Sequence, residues 1–186
     1  MKKLAVFFPG IGYTVDKPLM HYSRRIAADA GFEILLLPYS GFPQKIRGDR
    51  SKMEESYRLA LAQAKEMLSD TDFSEYDQIL FVGKSIGTIV AAEIAAELSV
   101  KERIHYVLYT PLEDTFSFPL EDAIVFTGSA DPWVPEGAIP KLCLERGIPC
   151  HIISEANHSL ETEHVKDDLE NLQKIMKKTR KFIRHI

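Results

Sequence analysis

Six short apolar runs, separated by longer stretches of helical spacing, leave this 186-residue chain few folds to adopt. The runs are Leu4–Phe8, Glu33–Leu37, Gln78–Val82, Ile104–Tyr109, Ala123–Thr127 and Cys150–Ile153. Most are nearly continuous Leu, Ile, Val and Phe, without the in–out alternation of a half-exposed sheet. Strands of that kind are covered on both faces, as in a parallel sheet between helices. Helical spacing marks Lys17–Ala30, Met53–Leu68, Ile86–Leu98, Glu136–Arg146 and Val165–Arg184. The alternation predicts a doubly wound α/β fold with a mainly parallel six-stranded sheet flanked by helices. Gly31 and Gly147 each follow a helix and precede a strand, where a left-handed cap belongs. No repeat, linker or low-complexity tract divides residues 1–186, and the length suits one domain.

Charge narrows the partners. A net charge of −4 argues against nucleic acid, which needs a basic surface. Lys174, Lys177, Lys178, Arg180, Lys181 and Arg184 gather in the last helix, where they read as a solvated face. The two cysteines, Cys143 and Cys150, form neither a disulfide framework nor a zinc spacing, and both read as small buried hydrophobes. No metal or cofactor is expected. The apolar run Leu4–Phe8 is too short for a secretory leader, and no stretch reaches membrane-spanning length. These features predict a cytoplasmic protein, a monomer or homodimer without a membrane partner.

The stretch after the third run carries two signatures at once. Gly83-Lys84-Ser85 is the tail of a phosphate loop, and Gly83-Lys84-Ser85-Ile86-Gly87 is a G-x-S-x-G. A phosphate loop needs a glycine five residues before Gly83, and that position is Gln78, inside a strand. The strand runs straight into Gly83 and leaves no room for a cradle. G-x-S-x-G by itself arises by chance in roughly one chain in sixteen of this length. Its setting carries more weight: a strand, a sharp turn bearing the serine, then a small-residue helix. A serine of this kind needs an acid and then a histidine, in that chain order. Asp131 follows the fifth run in Gly128-Ser129-Ala130-Asp131-Pro132-Trp133-Val134-Pro135. His158 follows the sixth in Glu155-Ala156-Asn157-His158. Both fall at the carboxyl edge of the sheet, where open α/β folds build their crevices.

On these segments, and on the first loop Phe8-Pro9-Gly10-Ile11-Gly12, the chain resembles the α/β-hydrolase family, and in particular its small dienelactone-hydrolase-like members. The likeness runs from Leu4 into the last helix. It departs where Pro9-Gly10 replaces the family's common His-Gly, where the first two strands are missing, and where a large cap is lacking. The resemblance implies a serine hydrolase acting on a small-molecule ester, thioester or related acyl substrate. Ser85 is then the nucleophile, His158 the base and Asp131 the orienting acid. The amides of Ile86 and Ile11 would form the oxyanion hole, and glycines 10 and 12 would let the first loop approach substrate. Gly12, Tyr13 and Trp133 are candidates to line the substrate site.

Other readings of the same residues stand beside these. Ser85 could be only a helix N-cap. Asp131 could only cap a turn, and Asp114 after the fourth run is a rival acid. Lys84 reads as solvent-facing or paired with a carboxylate. Tyr39, Phe42, Phe116 and Phe118 could form an apolar rim around a shallow, open site. A fold kept for binding without catalysis, or acyl transfer by the same three groups, are the competing functions.

Overall fold

Alternate residues of each strand go to opposite faces of the sheet, and each face is apolar. The computed structural model describes residues 1–186. Strands β1 (Lys3–Phe8), β2 (Glu33–Leu36), β3 (Gln78–Lys84), β4 (Ile104–Tyr109), β5 (Asp122–Gly128) and β6 (Cys150–Ile153) form one sheet in the order β2-β1-β3-β4-β5-β6. Every pairing is parallel, so the sheet is wholly rather than mainly parallel. Five helices cover it: α1 (Pro18–Asp29), α2 (Arg50–Met67), α3 (Ile86–Glu97), α4 (Ala138–Glu145) and α5 (Val165–Ile183).

One core lies under α2, α3 and α4 and takes Leu4, Val6 and Phe8 of β1 with Ile79 and Phe81 of β3. The other lies under α1 and α5 and takes Ala5, Phe7, Leu80 and Val82 from the same strands. This two-sided burial is what the continuous apolar runs anticipated. Helix α3 packs on the strands at the middle of the sheet with nine of its residues buried, from Ile86 to Ala95. Its Ala-rich sequence permits that close packing. Helix α5 has one apolar stripe, with Ile175, Thr179 and Ile183 buried and a charged outer face.

Helix boundaries moved where local chemistry won over apolar spacing. Helix α2 begins at Arg50, because the Asp49 carboxylate accepts the Lys52 N–H at 3.1 Å and caps the helix three residues before the apolar pattern starts. Gly31 and Gly147 adopt φ of +84° and +67°, as expected of helix-ending glycines. Cys143 is buried in α4, whereas Cys150, at the start of an edge strand, is only half-buried.

The α1/α5 core contains one polar knot. The Tyr109 hydroxyl is 2.8 Å from Ser23 Oγ of α1 and 2.7 Å from Thr179 Oγ1 of α5, and all three residues are buried. Tyr109→Phe leaves two buried hydroxyls without their shared partner. It is expected to cost about 1–3 kcal/mol, read as a lower urea midpoint at unchanged slope.

Candidate active site

Three loops leave the carboxyl ends of β3, β5 and β6 side by side, and glycines set how closely they meet. β3 ends in Gly83-Lys84, and α3 starts at Ile86, so Ser85 alone makes the turn. Its backbone lies at φ 54° and ψ −125°, a strained conformation for a residue with a Cβ. A Cβ on Gly83 would come within 2.9 Å of Thr88 Cα, and one on Gly87 within 2.1 Å of Phe8 O. Only glycine lets the first turn of α3 lie this close to the ends of β1 and β3. Ser85 therefore projects at the crest of the turn. Although it occupies the N-cap position, its side chain caps nothing.

Ser85 Oγ instead lies 2.7 Å from His158 Nε2, and His158 Nδ1 lies 2.7 Å from Asp131 Oδ2. The Asp131 side chain is fully buried, and its other oxygen accepts the Trp133 N–H at 2.9 Å. Held on both oxygens, the carboxylate fixes the ring at Nδ1 and leaves Nε2 aimed at the serine. Two further contacts hold the histidine loop. Thr110 Oγ1 donates to the His158 carbonyl at 3.1 Å, and the Trp133 ring stacks on the imidazole with centroids 5.3 Å apart. A Cβ on Gly128 would approach Ala156 O to 2.1 Å, so the aspartate and histidine loops meet backbone to backbone. Burial pulls the His158 pKa below its ordinary value, the Asp131 hydrogen bond opposes this, and the Lys84 charge reinforces it. The imidazole is consequently neutral at pH 7, the form that can accept a proton.

The first loop lies against the elbow. A Cβ on Gly10 would meet Ser85 Cβ and Lys84 O at 3.2 Å. The loop closes through Gly10 N–H donating to the Tyr13 carbonyl at 3.1 Å, and Gly12 sits at φ +73°. The Ile11 amide makes no hydrogen bond to the backbone, and Ile86, at the first position of α3, has an amide without an intrahelical acceptor. A family profile described as an alpha/beta hydrolase domain matches residues 1–184.

The chain belongs to the alpha/beta hydrolases. Solved structures share the fold at low sequence identity. A Xanthomonas campestris pv. campestris protein assigned to the alpha/beta hydrolase superfamily superposes with a TM-score of 0.65 at 13% identity, over 99% of this chain and 98% of its own. A serine hydrolase without a lid from Xanthomonas campestris gives 0.65 at 13%, over 98% and 81%. A Pyrococcus furiosus esterase gives 0.65 at 12%, over 99% and 82%. No curated protein matches the chain by sequence.

Several residues of this alpha/beta hydrolase lie elsewhere than their sequence suggested. Lys84 is neither solvent-facing nor ion-paired. It is 1% exposed, with Nζ 4.9 Å from the centre of the Tyr13 ring. Tyr13 is itself 7% exposed, and its hydroxyl accepts the Leu19 N–H at 3.2 Å, so it belongs to the core beneath the site more than to an open wall. Asp114 is exposed on a short 3-10 turn, Glu113–Ser117, and does not contact His158. Of the four aromatics expected at a rim, Phe116 is buried in the core, while Tyr39 and Phe42 pack against that core and meet each other edge to face. Only Phe118 lines the cleft beside the elbow.

That cleft measures about 360 Å³, and its apolar wall is Met53 and Tyr57 of α2, Ile86 and Ile89 of α3, and Leu112 and Phe118. Arg50, Glu54 and Asp114 stand among the remaining lining residues. The α2 residues carry no motif, and only the tertiary position of α2 brings them here. No group of three or more His, Cys, Asp or Glu side chains is placed to hold a metal ion. No helix is long and apolar enough to cross a membrane.

Proposed function

We propose that this alpha/beta hydrolase cleaves a small ester, thioester or related acyl bond through an acyl-enzyme on Ser85. The observation that carries the reading is the file of hydrogen bonds Ser85 Oγ–His158 Nε2 and His158 Nδ1–Asp131 Oδ2, each 2.7 Å. His158 takes the serine proton as Oγ attacks the acyl carbon, and Asp131 stabilises the resulting imidazolium. The amides of Ile86 and Ile11 receive the negative oxygen of the tetrahedral intermediate. The imidazolium then gives its proton to the leaving alcohol or thiol, which departs and leaves the acyl-serine. Water then attacks the acyl carbon while losing a proton to His158, and the imidazolium returns that proton to Ser85 Oγ as the acyl–oxygen bond breaks and the acid leaves. The cleft running from Ile86 to Phe118 is the natural place for an apolar acyl or leaving group. Trp133 stacks on His158 and is not among the residues that line this cleft.

A catalytically silent binding protein would not need a neutral imidazole aligned on a strained serine, so the hydrogen-bonded file argues for the enzyme. Acyl transfer to an alcohol or amine uses the same groups and differs only in what attacks the acyl-serine.

A fluorophosphonate probe is expected to label Ser85, seen as a mass shift on the peptide containing it, and to leave Ser85→Ala unlabelled. Folded protein that resists the probe would sink the reading. The activity must fall on the acid side as His158 gains a proton. Because burial lowers its pKa, the midpoint of kcat/KM should lie below ~6.5, the value of a free histidine.

A further inference from the structure

The alternation of β3 continues past its apolar core. Leu80 and Val82 face the α1/α5 side, and Lys84 follows them onto that side, opposite Tyr109 in the register with β4. An amine is thus carried into a closed interior one residue before the nucleophile. Its stem runs beneath the first loop, where a Cβ on Gly10 would stand 3.5 Å from Lys84 Cγ. Its Nζ ends over the Tyr13 ring at 4.9 Å and forms no salt bridge. An unpaired buried ammonium is costly, and a helix-packed strand end would be served better by leucine or methionine. The cost points to a role that an apolar side chain lacks.

We infer that Lys84 is a positioning residue of this site, an internal cation that holds down the proton affinity of His158. The inference rests on the hydrolase reading only for its kinetic consequence. Asp131 and Glu161 favour its charged form, His158 is repelled by it, and Tyr13 offers a ring face and a phenol pushed up to about 12 by burial, hence neutral. Burial pulls Lys84 down to about 7, with Asp131 and Glu161 opposing. Whenever the lysine is charged, its field opposes the proton that would silence His158. The base stays free into mildly acidic solution, where a histidine lacking this neighbour would be half titrated.

The test compares the wild type with Lys84→Met, which keeps the stem and removes the charge. The His158 ring is followed by long-range proton–nitrogen NMR from pH 4.5 to 9, which needs no turnover. The expected result is an upward shift of the His158 midpoint in Lys84→Met by roughly half a unit to one unit. Wherever Ser85-dependent turnover is measured, kcat/KM of the variant at pH 5.5 should be about three- to tenfold lower relative to its own plateau, with KM unchanged. The melting temperature at pH 7 should be equal or higher, since a buried amine has been replaced by an apolar group. An unmoved His158 midpoint overturns the inference, whatever happens to stability. If the variant does not fold, the wild type decides. Its His158 curve should be biphasic, with one inflection where the Lys84 Cε resonance titrates, and a single-step curve overturns the inference. Absence of all Ser85-dependent turnover would count against the hydrolase reading, leaving the NMR midpoint to judge Lys84 separately.

Discussion

Ser85→Ala is expected to lower kcat by roughly 10⁶-fold on whichever acyl substrate the enzyme turns over, with little change in KM. The size follows from the chemistry. Without Oγ no acyl-enzyme forms, and what remains is substrate binding and two amide donors acting on water. His158→Ala should lose about as much, since the serine and its base act as a unit and their losses do not add. Asp131→Asn should cost roughly 10⁴-fold, because the amide can present an N–H to Nδ1 and turn the imidazole into the wrong tautomer. The Asp131 side chain is fully buried and shared between His158 Nδ1 and the Trp133 amide, and no other carboxylate hydrogen-bonds to His158. Asp114→Asn is the internal control. That side chain is exposed beside the cleft, and its loss should leave kcat within a factor of two or three. Steady-state kinetics on purified variants read all four. A large loss for Asp114→Asn with a small one for Asp131→Asn would reverse the assignment of the acid.

Much of this arrangement was legible because parallel strands announce themselves. Runs such as Ile79–Val82 are apolar on both faces, so their order and the loops after them could be read directly. Ser85, Asp131 and His158 each follow a strand in sequence, and a parallel sheet gathers all such loops at one edge. What stayed hidden depends on which loops become neighbours. Asp114 and Asp131 both follow strands, and sequence alone gave no reason to exclude either. Asp131 is the one that meets His158, because β5 pairs with β6 and Gly128 lets the aspartate loop press on Ala156 of the histidine loop. The wall of Met53 and Tyr57 was unreadable, since the amphipathic pattern of α2 says that it packs but not where. Lys84 is different, because the alternation of its strand does carry the signal. Carrying the alternation of Leu80 and Val82 two residues further places its side chain indoors, but a charged residue beside a turn reads as exposed on composition. Physical placement by strand parity would have outranked residue type there.

Gly87→Ala is expected to unfold the protein or lower its melting temperature by on the order of 10 °C or more. Gly87 has no need of an unusual backbone, since it lies in the first turn of α3. Its constraint is contact. A Cβ there would sit 2.1 Å from Phe8 O and 2.5 Å from Pro9 O, both backbone atoms at the end of β1. Phe8 is paired in the sheet opposite Gly83, so β1 cannot retreat without breaking its register with β3, and α3 cannot retreat without opening the core under Val90 and Ala91. Neither side has a flexible group that could give way. Gly31→Ala is the contrasting case. It too replaces a glycine, at φ +84°, but nothing lies within 4 Å of the new methyl, so it should cost only about 1 kcal/mol of backbone strain. Equal melting temperatures for the two variants would show that the elbow is far more pliable than these contacts allow. Any Gly87→Ala molecules that do fold must hold the first loop away from Ser85. They should lose roughly 100-fold in turnover through the Ile11 donor even with Ser85, His158 and Asp131 intact. Fold and chemistry meet at this glycine, because the contact that locks α3 against β1 also brings the Ile11 loop beside the serine.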